Sequence, residues 1–552
     1  MRVWRHYLLV IVFVGLCLGL AGRVIFLGVA DSEFLREQGD ARAIRTETMP
    51  AFRGVVYDRN GEPLAVSTPV MSVYTDPSMG ELDIEAVGQL AELLEIDPVT
   101  LQTSLRGARG RQFAYIKRRA TWDQYQAARA LRLPGVHFQR EYRRYYPSSE
   151  TTAHVVGMTN VDDQGIEGVE LALDAELRGH NGSKVVLKDR RGGIVKDLEF
   201  LEAPAFGQDV ALSIDLRLQF LAHRELRAAL LEHQATSGTV VMADARTGEI
   251  LAMVNEPSYN PNFADAGASA GKRNQAITDL YEPGSTMKPF TVLAALASGR
   301  WHADTPIPTA PGTFRVGRLL VRDPVNRGTI TLLQALQKSS QVAIAKVALD
   351  LERRAVFDVM SRVGIGEYIG IGLPGEKIGT LTDRGLRNPV IRTTLSYGYG
   401  LAISPLHLTQ GYLTLASGGV RLPLTIRRQD SAPTGERVIE ESLAREVVAM
   451  MESVTAKEGT APGAGVPGYR ISGKTGTSRK VGANGYDDKR HVALFAGIAP
   501  ATDPRFVMVV VVNEPKGLQV GGGAVSGPIF GRIAAGALRL LGVRPDAEPA
   551  PV

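Results

Sequence analysis

The chain has 552 residues, with 63 Lys and Arg against 58 Asp and Glu, a net charge of +5 that is too small to argue for nucleic-acid binding. At 44% hydrophobic and 22% charged residues, it is expected to bury cores rather than stay disordered, and at about 150 residues per domain its length allows three to four domain-sized units. Its single Cys excludes an intrachain disulfide framework and any multi-cysteine zinc or iron–sulfur site.

The first predicted element is an apolar stretch, Tyr7–Gly22 (YLLVIVFVGLCLGLAG), preceded by Arg2, Arg5 and His6 and resumed beyond Arg23 as Val24–Ala30. Together these segments reach the ~20 residues that cross a bilayer, because Arg23 can snorkel. The run Leu-Ala-Gly-Arg-Val-Ile-Phe lacks a clean small-x-small cleavage site, which favours an uncleaved anchor over a signal peptide. The positive-inside bias then puts residues 1–6 in the cytoplasm, 7–30 in the membrane and the rest outside. Cys17 lies within the span, so the exported body contains no Cys.

Residues 31–205 mix short strands and helices. Arg53–Asn60 followed by Gly61 reads as strand and turn, Val87–Leu94 and Trp122–Leu131 as amphipathic helices, and Asp189–Gly193 as a turn. No nucleophile is paired with a base there, so the segment reads as a non-catalytic pedestal. From about Pro204 the pattern changes. Ser237–Val254 predicts a hairpin turning at Arg246–Gly248, and Ile330–Leu351 predicts one helix with Leu332, Leu333, Leu336, Val342, Ala343 and Val347 on its apolar face. Val492–Ala499 and Phe506–Asn513 read as strands and Ile529–Leu541 as a closing helix. The whole is an α+β arrangement, with a second body over 206–545 and a tail at 546–552.

The chemistry-bearing residues fall in that second body. Tyr281-Glu-Pro-Gly-Ser-Thr-Met-Lys288 holds Ser-x-x-Lys, which puts Ser285 and Lys288 on one helix face. A serine hydroxyl needs a base to become a nucleophile, and a desolvated lysine can be that base. Ser472-Gly-Lys-Thr-Gly-Thr477 offers one cation and two hydroxyls along an extended edge, suited to a carboxylate-bearing substrate. Gly468–Thr475 also formally completes a phosphate-binding P-loop, but that loop must open a helix, whereas Tyr469–Ser472 reads as extended and Gly476, Gly482 and Gly485 would break one. Between these motifs lies Lys338-Ser339-Ser340-Gln341, with Ser339 51 positions after Lys288.

Taken singly, each motif is weak. In this order they form the set shared by penicillin-binding proteins and serine β-lactamases. Longer strings carry a closer resemblance: Arg53–Gly61, Tyr146-Pro with Ala153–Glu170, Tyr281–Lys288, Leu395–Leu401 and Phe495–Pro500. On these the sequence resembles the class B penicillin-binding proteins of the division type. The resemblance implies a transmembrane helix, a mixed α/β pedestal (31–205) and a transpeptidase domain (206–545) with a central antiparallel sheet flanked by helices. It implies serine-type cross-linking of peptidoglycan stem peptides at the division septum, with β-lactams as inhibitors and no preceding glycosyltransferase domain. An FtsW-like glycosyltransferase and other divisome membrane proteins are the implied partners. No nucleic acid, metal or organic cofactor is called for.

The implied roles are Ser285 as nucleophile, Lys288 as base, Ser339 as proton relay with Lys474 beside it, and Thr475, Gly476 and Thr477 as substrate-binding edge. The backbone N–H groups of Ser285 and Thr477 form the oxyanion hole. One position departs from the family: its second motif ends in Asn, and here Gln341 stands there. The extra methylene is expected to shift a substrate contact or disturb the Lys288 network, leaving an active but altered enzyme. Alternative readings are an elongation-type transpeptidase, a β-lactam sensor or hydrolase on the same fold, and a catalytically weakened divisome scaffold.

Overall fold

The computed structural model describes residues 3–29, 31–33, 44–80, 82–111, 113–188, 194–263, 271–482 and 485–547; the predicted Asp189–Gly193 turn lies outside them. Helix α1 (Val3–Val29) has no buried residue and a mean hydropathy of 2.6 over its most apolar 18-residue window. Among the described residues it is the one helix long and apolar enough to cross a membrane.

The chain gathers into two compact units, one from Met1–Gly54, Ser67–Arg143 and Arg178–Gln208, the other from Val55–Val66, Arg144–Leu177 and Asp209–Val552. In the first unit, Gly182–Lys188 is the middle strand of an antiparallel three-stranded sheet with Ile44–Met49 and Ile194–Glu202. Helices Ile84–Leu93 and Pro98–Gly107 start where Asp83 and Asp97 accept hydrogen bonds from Ala86 and Thr100 N–H at 2.6 and 2.7 Å. A Thr121/Gln124 capping box opens Trp122–Ala130. Val73, Leu90, Leu94, Leu101, Ile116 and Ala128 close a small core among these elements.

The second unit is built on a five-stranded antiparallel sheet. The elements that build and position the site are, in chain order, α2 (Leu216–Glu232), β1 (Ser237–Asp244), β2 (Ile250–Glu256), α3 (Lys288–Ala297), α4 (Leu332–Gln337), α5 (Gln341–Asp350), α6 (Pro405–Ala416), α7 (Glu441–Thr455), β3 (Ser472–Gly482), β4 (Gly485–Ala499), β5 (Phe506–Asn513) and α8 (Ser526–Leu540). The strand order is β2-β1-β5-β4-β3, so both ends of this region meet in one sheet. Both faces are covered, and this explains the unbroken apolar run of β5: Val507, Val509 and Val511 enter one core, while Phe506, Met508, Val510 and Val512 enter the other. Each such side chain, fully buried, contributes roughly 1.5–3 kcal/mol. Helices α2 and α8 supply the second core, and α3, α6 and α7 the first.

One predicted element is corrected. Ile330–Leu351 is not one helix: a short strand (Thr329–Thr331) is followed by α4, and the chain breaks at Lys338–Ser340 before α5. At the break Ser339 has φ +58°, a left-handed conformation that costs a non-glycine residue about 1–2 kcal/mol. Buried apolar residues recur on both sides of the break, so the pattern alone could not reveal it.

Candidate active site

Ser285 lies in a 3₁₀ turn, Gly284–Met287, that runs into α3 at Lys288. With three residues per turn, side chains at i and i+3 eclipse, which stacks Ser285 and Lys288 more directly than an α-helix would. The turn is held from several sides. Thr286 Oγ1 donates to the Pro283 carbonyl at 2.8 Å, Tyr412 OH on α6 donates to the Thr286 carbonyl at 2.9 Å, and Gly284 N–H donates to the Gly398 carbonyl at 3.0 Å. The Ser285 hydroxyl is half-buried and makes no hydrogen bond to any described residue.

Lys288 is completely buried. Its Nζ donates to the Ser339 carbonyl at 2.5 Å and to Ser339 Oγ at 3.0 Å. The left-handed break at Ser339 is what turns both oxygens toward Lys288. From the other side, the equally buried Lys474 donates to the same Ser339 Oγ at 3.0 Å and to Thr475 Oγ1 at 3.2 Å. Burial pushes Lys288 down to about 7, with Asp323 opposing the shift. Burial, reinforced by Lys288, also holds Lys474 well below the ordinary lysine range. Two ammonium groups sharing one hydroxyl in a dry site disfavour double protonation, so a neutral amine is present near neutral pH.

The Lys474–Thr477 motif lies on β3, the edge strand, whose inner side pairs with β4 from Ser472↔Ile498 through Thr477↔Ala493. The strand assignment removes the P-loop reading, which needs a helix here. The opposite edge of β3 approaches the Ser285 turn, and glycine permits it: a Cβ on Gly476 would stand 2.8 Å from the Pro283 carbonyl oxygen and 2.9 Å from Thr286 Cγ2. Gly476→Ala is therefore expected to force β3 away from Ser285 and lower penicillin acylation about 10- to 100-fold, as stopped-flow rates would register. Thr477 is exposed beside the turn, and its Oγ1 accepts from Gly522 N–H at 3.1 Å. Thr475 is buried, with its hydroxyl against Thr460 Oγ1 at 3.0 Å as well as Lys474.

The structure thus brings Lys288, Ser339, Lys474 and Thr475 into one hydrogen-bonded group beside Ser285. Gln341 stands apart from it. Its side chain makes no hydrogen bond to a described residue, and its backbone N–H donates to Asp323 Oδ1 at 2.6 Å. Three participants escaped the sequence reading. Asp323 and Thr460 sit in loops where no spacing singles them out. Gly522 carried a signal in the run Gly521-Gly-Gly523: a Cβ there would lie 2.3 Å from the Gly476 carbonyl oxygen.

Comparison with known proteins gives the family. Residues 238–535 match the family model of the penicillin-binding protein transpeptidase domain, and residues 48–212 match that of the penicillin-binding protein dimerisation domain. The chain is 42% identical over 533 residues to the peptidoglycan D,D-transpeptidase FtsI of Escherichia coli, covering 96% of this chain and 90% of that one. It is 39% identical over 545 residues to the probable peptidoglycan D,D-transpeptidase PbpC of Pseudomonas aeruginosa, covering 99% and 96%. Among solved structures, a peptidoglycan synthetase from Bifidobacterium adolescentis superposes with a TM-score of 0.71 at 25% identity, covering 92% and 98% of the two chains. The transpeptidase domain of Burkholderia pseudomallei penicillin-binding protein 3 gives 0.56 at 38% identity, covering 61% of this chain and 98% of that domain.

Proposed function

The chain belongs to the class B penicillin-binding proteins, peptidoglycan D,D-transpeptidases of the FtsI-like division type, and from that premise we propose how its own residues carry the reaction. Neutral Lys288 takes the proton of Ser285, whose oxygen attacks the penultimate D-Ala carbonyl of a donor stem peptide. The N–H groups of Ser285 and Thr477 receive the oxyanion. Ser339, held between Lys288 and Lys474, passes a proton to the departing D-Ala nitrogen. Thr475 and Thr477 hold the terminal carboxylate, and an acceptor amine then resolves the acyl-enzyme. A β-lactam acylates Ser285 by the same steps.

The observation that carries this reading is the sharing of Ser339 Oγ by two fully buried lysines at 3.0 Å each. It is tested by incubating the purified protein with a penicillin and mapping the adduct by peptide mass spectrometry. Mass on the Tyr281–Lys288 segment at Ser285 supports the assignment; an adduct elsewhere overturns it. The same reading places the catalytic body in the periplasm; its compact unit takes in 55–66, 144–177 and the residues from 209 on. It acts at the septum beside an FtsW-like glycan polymerase. Recruitment of a fluorescent fusion to the side wall instead of the septum would contradict that placement.

Gln341 enters here. Its side chain is outside the lysine network, so the route by which it alters the enzyme is contact with substrate. Gln341→Asn is expected to change the second-order acylation rate of a penicillin by about 3- to 30-fold with the pH midpoint unmoved. Equal rates would remove the claim.

A further inference from the structure

Among the described residues, Asp323 is the acid whose charge opposes the effect of burial on Lys288, and the substrate-contacting roles do not use it. It follows the strand Leu319–Arg322, and its backbone N–H is anchored on the Gly312 carbonyl at 2.9 Å. Its two oxygens are committed to one turn: Oδ2 accepts from Ser340 Oγ at 2.5 Å, and Oδ1 accepts from the N–H groups of Gln341 at 2.6 Å and Val342 at 3.2 Å. Ser340 Oγ in turn accepts from Ala343 N–H at 3.0 Å, so the start of α5 is closed by a serine that the carboxylate itself orients. The residue before this clamp is Ser339, in its left-handed conformation, with carbonyl and hydroxyl both on Lys288.

We propose that Asp323 is a positioning residue of the transpeptidase site, clamping Ser340–Val342 so that the strained Ser339 presents two oxygens to Lys288 and one to Lys474. A left-handed serine persists only where its surroundings over-determine it, and three hydrogen bonds to one carboxylate on the following residues do that. The clamp also brings a negative charge near the base. The charged groups bearing on Lys288 are Lys474 from β3 and Asp323 from the loop; Lys338, on the neighbouring turn, is occupied by the Glu458 carbonyl at 2.7 Å. Asp323 favours the protonated amine, so its loss makes Lys288 easier to deprotonate. The inference deepens the reading of Lys288 as base and rests on it.

The test measures penicillin acylation against pH for the purified full-length protein in detergent, with melting temperatures alongside. Asp323→Asn keeps the shape but can accept only part of the clamp. Its maximal rate is expected to fall about 10-fold and its acid limb to move to lower pH. Asp323→Glu keeps the charge with a longer reach, so it should lower the maximum and leave the limb in place. A merely structural role would lower the rate of the Asn variant without moving its limb, and that result, or wild-type rates in either variant, overturns the proposal. A wild-type profile with no acid limb would overturn the reading of Lys288 and this proposal with it. A wild-type limb that Asp323→Asn leaves unmoved overturns the proposal alone.

Discussion

Ser285→Ala is expected to abolish covalent capture of a fluorescent penicillin and transpeptidation together, lowering acylation by more than about 10⁴-fold. The substitution is clean because the Ser285 hydroxyl has no hydrogen-bond partner among the described residues, so its removal strands no buried group. The turn that carries it is held by Thr286, Tyr412 and Gly284, all untouched. The melting temperature should therefore stay within about 2 °C of wild type, separating lost chemistry from lost fold. Non-covalent binding of a stem-peptide analogue, read by calorimetry, should persist, because Thr475, Thr477 and Lys474 remain. Labelling of the alanine variant at the wild-type rate would move the nucleophile to another residue.

Lys288→Met is the second large effect. The replacement keeps an unbranched side chain in a position that is fully buried, while removing the proton acceptor. Loss of a positioned base is expected to lower acylation about 10²- to 10⁴-fold. In the wild type, the rate should rise with pH through about 7, where burial sets Lys288; in the Met variant that limb should vanish. Stability moves oppositely. The folded-state value is depressed below an unfolded value of about 10.4, so the unfolded chain binds more protons between these limits, and wild-type stability rises with pH there. The Met variant escapes this penalty. Its advantage in melting temperature should be absent above about pH 10.4, grow as pH falls, and level off below about 7. A Met variant that is both active and pH-dependent like the wild type would exclude Lys288 as base.

How legible was the site? The hairpin at Arg246–Gly248, the strands around Val492–Ala499 and Phe506–Asn513, and the closing helix were all readable, because their signals are local: turn residues flanked by apolar runs. The break at Ser339 was not. Ser340 caps the helix that follows it, but the groups that hold Ser339 and its neighbours, Lys288, Lys474 and Asp323, come from three other segments. Asp323 itself was invisible for the same reason, a single acid in a loop whose partners lie 17 to 19 positions away. Val55–Val66 and Arg144–Leu177 belong to the same compact unit as Asp209–Val552, and within it the buried side chains Arg144 and Glu170 meet at 2.6 Å, a long-range pairing that no local pattern announces.

The sequence by itself determined the membrane-length apolar helix, the α+β class, and the order Ser-x-x-Lys, Ser-x-Gln, Lys-Thr-Gly from which the chemistry was inferred. Each is a property of residues close along the chain. Only the tertiary structure decided that Lys288 sits near neutrality rather than at an ordinary lysine value, that one serine hydroxyl joins two buried amines, and that Gln341 stands outside their network. The physical reason is that desolvation and charge coupling depend on which groups exclude water around an atom. In this fold those groups come from residues 285–288, 323, 339–342 and 474–477 meeting at the free edge of β3.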